Sequence, residues 1–329
     1  MHPFAAAVAG LMLSLSVLQP AWAAQHRAAT PESAFKSHGH NKMPGLEIRV
    51  LAGAWGNVRT EDIETVLYSV AAVLLENFPG KRLNPILVAP SDKEPLTLYE
   101  KGPNNEYQVY LTAQDKNWAQ YAYEFAHELG HILAHYERHA YSGTTAHNQW
   151  FEEALCEVAS LYVLRRLAFA WEVSPPYPHW AAYAPTFEKY AERFLSERHR
   201  RLPPATALAT WFAQNEQELA RNPYLRVHNE VVANLLLPLF EENPHLWVAI
   251  GSLNLASEGD SFRDYMQAWH ANAPEECKDI IQYLMALFGI VPGGEPTASA
   301  SSEAAAGVGS SSGGPPGASR TGRAGPPVR

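Results

Sequence analysis

A stripe of histidines marks residues 123–139, which read YEFAHELGHILAHYERH. Histidine recurs every four residues, at positions 127, 131, 135 and 139. In an α-helix, residues four apart lie on nearly the same face, about 6 Å apart along the axis. Apolar residues between the histidines offer a second face for packing: Tyr123, Ala126, Leu133 and Ala134. The pattern predicts a continuous helix over about 116–138, with one buried face and one face of imidazoles.

The first two histidines belong to the motif HELGH at positions 127–131. Imidazoles at positions i and i+4 of a helix can bind one zinc ion. The glutamate between them can take a proton from water bound to that ion. We therefore expect His127 and His131 to be metal ligands and Glu128 to be a general base.

The two later histidines are expected to have another role. His135 lies about 12 Å along the helix axis from His127, and some 80° around it, which is too far to share one ion. We expect His135 and His139 to continue the polar face of the helix.

A catalytic zinc site also needs a third protein ligand and an open position. The next helical segment carries WFEEALCEVASLY at 150–162, and Glu153 follows His131 by 22 residues. That separation leaves room for a turn and for a second helix that runs back beside the first. Adjacent helical positions point about 100° apart, so Glu152 and Glu153 cannot both face the metal. Glu153 is preferred because Glu157 follows it by one turn and could accept a hydrogen bond from a ligating imidazole.

This constellation resembles the gluzincins, the thermolysin-like and aminopeptidase-like zinc metallopeptidases. In that family a helix with HExxH is followed by a helix with the third ligand and a supporting acid one turn later. The likeness extends over about residues 124–161. It implies His127, His131 and Glu153 as ligands of Zn²⁺, Glu128 as the general base, and Glu157 as the acid that holds a ligating imidazole.

The resemblance implies two further roles. The strand before the active helix, here Tyr107–Thr112, would bind an extended substrate. A tyrosine or histidine from a later helix would stabilise the oxyanion. The segment NPYLRVHNEVV at 222–232 offers Tyr224, Arg226 and His228 for this role, and Tyr224 is our candidate.

The chain departs from the gluzincin pattern in two places. Glu152 stands where the family usually has asparagine, and the supporting acid Glu157 is a glutamate where thermolysin relatives have aspartate. The metzincins offer another placement of the third ligand, which here would be Glu137, ten positions after His127. Their helix is broken by a glycine, and this chain has Ala134 at that position. Glu153 therefore remains the preferred ligand.

Strand-like segments cluster early in the chain and helical segments late, which indicates an α+β fold. The strands are predicted at 46–53, 84–91, 95–100 and 106–113, and the helices at 59–78, 116–138, 148–171 and in six segments between 182 and 289. With the family resemblance, this implies a zincin-like fold. Its parts would be a small N-terminal mixed sheet with a helix, a pair of active-site helices and an all-helical C-terminal lobe.

The two ends of the chain differ from its middle. Residues 1–23 resemble a signal peptide, with an apolar run at 4–18 and the cleavage pattern AWA at 21–23. We expect residues 24–44 to be a polar leader, 45–290 to be the zincin-like catalytic domain that the resemblance implies, and 291–329 to be a disordered Gly/Pro/Ser/Ala-rich tail. The apolar run is too short for a stable membrane span. We therefore expect an exported protein, periplasmic or secreted, without stable membrane insertion after cleavage.

Composition limits the partners. The net charge is −9 and no basic run occurs, which argues against nucleic acid as a partner. Cys156 and Cys277 are either a disulfide, as an exported protein permits, or two buried thiols. The sequence leaves the oligomeric state open.

These features predict a zinc metallopeptidase that hydrolyses peptide or protein substrates. Two alternatives stay open: a zinc amide hydrolase that is not an endopeptidase, and a non-catalytic zinc-binding envelope or interaction module. The glutamate of HELGH disfavours the second, because a structural zinc site needs no base.

Overall fold

A computed structural model describes residues 43–141, 147–255 and 260–291, except for the side chains of residues 139–141. All described residues belong to one compact unit. The predicted signal peptide, nearly all of the polar leader, the tail after Val291 and the side chain of His139 lie outside this description.

Four strands form a mixed sheet at the N-terminal end of the described chain. They are β1 (Ile48–Val50), β2 (Ile86–Pro90), β3 (Leu96–Thr97) and β4 (Tyr107–Leu111), in the order β1-β2-β4-β3. Strands β1, β2 and β4 are parallel, and β3 pairs with β4 in the antiparallel direction. Helix α1 (Thr60–Leu75) joins β1 to β2 and buries an apolar face. The predicted small mixed sheet with a helix is confirmed.

Strand β4 lies in the interior of this sheet. Its Val109 is in register with Val88 of β2 on one side and with Thr97 of β3 on the other. An extended peptide can add only to a strand whose backbone groups are unpaired on one side. The prediction that Tyr107–Thr112 binds substrate is therefore wrong, and β3 occupies the edge of the sheet instead.

The rest of the described chain is helical, which confirms the α+β class. The longer helices are α2 (Trp118–Leu133), α3 (Gln149–Val173), α4 (Ala184–Leu195), α5 (Leu208–Arg221), α6 (Arg226–Glu242), α7 (Phe262–Asn272) and α8 (Lys278–Leu287). Shorter 3-10 segments are Tyr136–Tyr141, Pro178–Tyr183, Arg198–Arg200, Pro244–Leu255 and Glu275–Cys277. Within the described ranges, no helix is both long enough and apolar enough to cross a membrane.

Helix α2 ends earlier than its histidine spacing predicts. Its last residue is Leu133, and the backbone at His135 is left-handed, with φ of 58°. A left-handed residue cannot continue a right-handed helix, so the chain turns there and a 3-10 segment follows. His135 Nε2 lies 3.2 Å from Lys81 Nζ. The prediction of a continuous helix to residue 138 is therefore wrong, and His135 does not continue the row of histidines on α2.

Helices α2 and α3 cross closely at Gly130. A Cβ atom at this position would lie 2.9 Å from Cys156 Sγ and 3.3 Å from Cys156 Cα on α3. Carbon atoms in packed interiors approach to about 3.5–4.0 Å, so only glycine fits without a shift. The small residue of HELGH thus permits the close approach that brings α3 to the imidazoles of α2.

The two cysteines are free, buried thiols. Cys156 packs at the helix crossing, whereas Cys277 Sγ donates to the backbone oxygen of His245 at 3.6 Å. Of the two alternatives from the sequence, the structure has the buried thiols and no disulfide between these residues.

We expect Gly130→Ala to lower the free energy of unfolding. The added methyl group overpacks the crossing, which costs about 1–3 kcal/mol, and a gain of up to about 1 kcal/mol in helix propensity offsets only part of it. Adding Cys156→Ala should relieve the clash, with a favourable coupling of at least about 0.5 kcal/mol in denaturant titrations of the double variant.

Gly251→Ala is the matched control for this pair. Its Cβ would meet nothing closer than the Leu133 backbone oxygen at 3.9 Å, so its effect should stay within about 0.5 kcal/mol. Strictly additive effects at positions 130 and 156 would contradict the close crossing.

Candidate metal centre

A cavity of about 550 Å³ opens between β3 and helices α2 and α3. This volume lies in the range of about 300–1,000 Å³ that ligand sites occupy. The lining residues come from β3 and its flanks, from the HELGH motif, from the 3-10 segment after α2, from the start of α3 and from the segment before α6: Glu94, Pro95, Leu96, Thr97, Leu98, Tyr99, His127, Glu128, His131, Tyr136, Gln149, Glu153 and Tyr224.

Glu153 lies between the two imidazoles of the motif. Its Oε2 is 3.2 Å from His127 Nε2, and its Oε1 is 3.7 Å from His131 Nε2. The structure thus brings together the three residues that the sequence predicts as ligands. Two imidazole nitrogens and one carboxylate that converge on an open cavity suit Zn²⁺, with a position left for water or substrate.

Glu152 supports His131 from the opposite side. Its Oε1 lies 2.6 Å from His131 Nδ1, and its Oε2 accepts a hydrogen bond of 2.5 Å from Asn254 Nδ2. Only 1% of Glu152 is exposed. A carboxylate on Nδ1 fixes the tautomer that leaves Nε2 free to bind a metal. Glu152 is therefore placed to orient a ligand, and the alternative that it is itself a ligand does not fit this contact.

Cys156 is a competing donor. One donor atom each from His127, His131 and Cys156 all lie within 4.8 Å of one another. Burial raises the pKa of the Cys156 thiol to about 12, although a bound metal ion would deprotonate a coordinating thiol. For Glu153, burial pushes the pKa up, but His131 and His127 outweigh it and hold the pKa below its ordinary value. Glu153 also lines the cavity and Cys156 does not, so Glu153 is the better third ligand.

Glu128 is buried at the floor of the same cavity, with 3% of its surface exposed. Its Oε2 accepts a hydrogen bond of 2.7 Å from Thr97 Oγ1 on β3. Burial is the main reason why the pKa of this carboxyl lies above its ordinary value. A raised pKa makes this carboxylate a stronger base than an ordinary glutamate, as the role of general base requires. Sequence reasoning missed Thr97, because only the antiparallel edge position of β3 brings it to α2.

Glu157 does not contact an imidazole. Its Oε2 accepts from Tyr123 Oη at 2.5 Å, and its Oε1 accepts from Arg200 Nη1 at 2.7 Å. Helix α3 runs antiparallel to α2, so one turn forward along α3 leads one turn back along α2, from His127 to Tyr123. The prediction that Glu157 holds a ligating imidazole is therefore wrong, and Glu152 has that contact.

The three candidates for stabilising the oxyanion lie in different surroundings. Tyr224 lines the cavity, with its Oη 3.1 Å from Gln149 Nε2 and 3.5 Å from Tyr99 Oη. Arg226 Nη2 donates to Tyr123 Oη beside the cavity. His228 packs against the ring of Trp211 outside it. Of the three, only Tyr224 lines this cavity.

Glu137, the metzincin-like alternative, does not line the cavity. Its Oε1 lies 3.2 Å from Lys101 Nζ and 3.7 Å from His135 Nδ1. Burial opposes its ionisation, but these partners prevail and lower the pKa of Glu137 to about 2. Glu137, in the 3-10 segment after α2, therefore belongs to an ion-pair cluster with Lys101 and His135.

No protein-family model and no curated protein matches this chain. The choice of function therefore rests on the chemistry of the cavity.

We expect the purified protein to bind about one zinc ion per chain, and His131→Ala to lose it. Glu152→Gln should weaken zinc binding about 10- to 100-fold, because the amide orients His131 less firmly than a carboxylate. Glu172→Gln, an exposed change on the same helix, is the control and should bind zinc normally. Zinc titration of each variant measures these affinities, and equal affinity in the two glutamine variants would reject the role of Glu152.

The raised pKa of Glu128 predicts how the stability of the metal-free protein depends on pH. The folded state favours the protonated carboxyl, so stability should fall as pH rises from the ordinary value of 4.5 through the raised pKa. Metal-free Glu128→Gln should melt above wild type at neutral pH and equal it well below that value. Melting temperatures of chelator-treated protein across this range check the difference. A variant less stable than wild type at every pH would contradict it.

Proposed function

We propose that this protein is an exported zinc-dependent metallopeptidase that hydrolyses peptide bonds in peptide or protein substrates. The observation that carries the proposal is the buried carboxylate of Glu128 beside the His127–His131 pair, in a cavity that is open to a substrate. The predicted signal peptide at 1–23 supports export.

Each group of the cavity has a part in this proposal. A zinc ion held by His127, His131 and Glu153 would polarise the scissile carbonyl and lower the pKa of water. Glu128 accepts a proton from the attacking water and passes it to the leaving amine. Thr97 holds the Glu128 carboxylate through one oxygen and leaves the other available.

The edge of the sheet supports a peptide as the substrate. Within the described residues, β3 pairs only with β4, and its other side borders the cavity. An extended peptide can add to such an edge through main-chain hydrogen bonds. Leu98 N–H donates to Gln108 O on the β4 side, and Tyr136 Oη donates to the backbone oxygen of Leu98, so the backbone groups of Leu98 are already paired. We propose that the substrate aligns along β3 and not along β4.

Tyr224 is the proposed donor to the oxyanion that forms on the attacked carbonyl. Gln149 and Tyr99 contact its hydroxyl at the cavity wall, and 59% of the residue is exposed to solvent. Such a donor acts best when it is already in place before the charge develops.

The non-catalytic module fits these observations less well. A structural zinc site closes its fourth position with a protein ligand. Here the imidazoles and Glu153 face a cavity of about 550 Å³. Glu128, whose pKa is raised, can transfer protons in this cavity, whereas a structural metal site needs no such group.

We expect Glu128→Gln to keep zinc and the fold and to lose at least about 10²-fold in cleavage rate. The amide has nearly the same shape as the carboxyl but cannot accept the proton. The measurement is zinc content together with the cleavage rate of an unstructured peptide mixture, followed by mass spectrometry. Glu172→Gln controls for an exposed charge change on α3. Full zinc with unchanged cleavage would remove Glu128 from the mechanism.

A further inference from the structure

A second, smaller cavity opens beside the candidate metal centre. It shares with the larger cavity the six lining residues Glu94, Pro95, His127, Glu128, Glu153 and Tyr224. Its other walls are Tyr123, Glu124, Glu157, Arg226, Asn229 and Glu230. Its volume of about 240 Å³ is below the range of about 300–1,000 Å³ for whole small ligands. The cavity therefore suits one side chain or one terminal group of a ligand that lies across the metal centre.

Carboxylates outnumber cations around this second cavity. Glu128 and Glu153 face the metal centre and are not included in this count of charges. The four remaining carboxylates of the lining are Glu94, Glu124, Glu157 and Glu230. Two guanidinium groups oppose them, Arg226 in the wall and Arg200 buried behind it. Among the described residues, Glu197 Oε2 also lies 3.1 Å from Arg200 Nε, and His199 Nε2 lies 2.5 Å from Glu230 Oε2. These five carboxylates outnumber the two guanidinium groups even when His199 is counted as a third cation.

Both guanidinium groups are already bound to carboxylates. Arg226 Nε lies 2.7 Å from Glu230 Oε1, and Arg200 Nη2 lies 2.8 Å from the same oxygen. Arg200 Nη1 also lies 2.7 Å from Glu157 Oε1. Arg226 donates in addition to Tyr123 Oη at 3.1 Å. The two cations are thus neutralised inside the protein, and the cavity offers little attraction to an anion.

Asn229 adds a buried hydrogen-bond acceptor that no donor among the described residues satisfies. The residue is 5% exposed, and its Nδ2 donates to the backbone oxygen of Pro223 at 2.7 Å. Its Oδ1 is buried and accepts a hydrogen bond from none of the described residues. A buried acceptor without a donor is costly, and because Asn229 stands in the cavity wall, a ligand N–H group that reached this oxygen would remove the cost. Ammonium and guanidinium groups carry donors only.

We propose that the second cavity binds a positively charged group of the peptide substrate next to the bond that is cleaved. A lysine or arginine side chain and a free amino terminus share this chemistry. The inference rests on the proposed peptidase function, because it assigns the second cavity to the same substrate.

Binding to the full-length Glu128→Gln protein tests this inference without cleavage. The probes are short peptides with no other charge, in which each position in turn holds lysine or its uncharged counterpart norleucine. One set is acetylated at the amino terminus and the other is free. We expect at least one acetylated lysine peptide, or the free-terminus peptides, to bind about tenfold more tightly than the acetylated norleucine peptide. The preference should shrink at high salt. Equal binding by all peptides, or binding by none, overturns the proposal.

The outcome also distinguishes the two sources of the cation. Tighter binding of an acetylated lysine peptide assigns the cavity to a side chain. Tighter binding of every peptide with a free terminus, whatever its sequence, assigns it to the amino terminus and thus to an aminopeptidase. Either result supports a cation site.

Glu94→Gln provides a second test that spares the metal centre. Glu94 is exposed at the rim of both cavities, and losing its charge should reduce the preference for the cationic peptide about two- to fivefold. Asp92→Asn removes an exposed charge two residues away and outside the lining, so it should leave the preference unchanged. Equal effects of the two variants would contradict the proposal.

Failure of this inference differs from failure of the proposed function. If wild type cleaves peptides in a Glu128-dependent way but neither residue beside the cut is enriched in lysine or arginine, and a free terminus is not required, only the cation site is overturned. If nothing is cleaved but the lysine preference in binding persists, the cation site stands and the peptidase function falls.

Discussion

The close crossing of α2 and α3 at Gly130 and Cys156 is the constraint on which the site depends. Two imidazoles on one helix can supply only part of a zinc site, and the third ligand must come from another element. A side chain at position 130 would meet Cys156 at 2.9 Å and hold the helices apart. With glycine there, Glu153 reaches both His127 and His131. The glycine of HELGH thus has a packing role, beside the chemical role of the histidines and the glutamate.

The three carboxylates on α3 near the site point in different directions and make different contacts. Glu153 faces the cavity, Glu152 holds the outer nitrogen of His131, and Glu157 turns to Arg200. Arg200 is fully buried, and burying it would be costly without the carboxylates around it. The pair of Glu157 and Arg200 joins α3 to the turn before α5, and Glu230 extends the contact to α6. One network of ion pairs thereby joins α3, which carries Glu153, to α6, which follows Tyr224.

Local spacing was enough to predict the parts of the site that lie within a single helix. The helical period places His127, Glu128 and His131 together. The sequence also favoured Glu153, but for its spacing from Glu157, and in the structure it is Glu152 that supports an imidazole. Three features depend on contacts between distant segments, which periodicity does not contain. They are the end of α2 at the left-handed His135, the contact of Glu152 and not Glu157 with a histidine, and the edge position of β3. Strand order in particular is a property of the whole sheet, so Thr97 could not be placed beside Glu128 from sequence.

The coordination of zinc in the wild-type protein tests the account most directly, because it separates Glu153 from Cys156 as the third ligand. X-ray absorption spectroscopy at the zinc edge distinguishes nitrogen and oxygen donors at about 2.0–2.2 Å from sulfur at about 2.3 Å. We expect one zinc per chain with a first shell of nitrogen and oxygen only, including two imidazoles. A sulfur ligand, or protein that binds no zinc, would contradict the site described here.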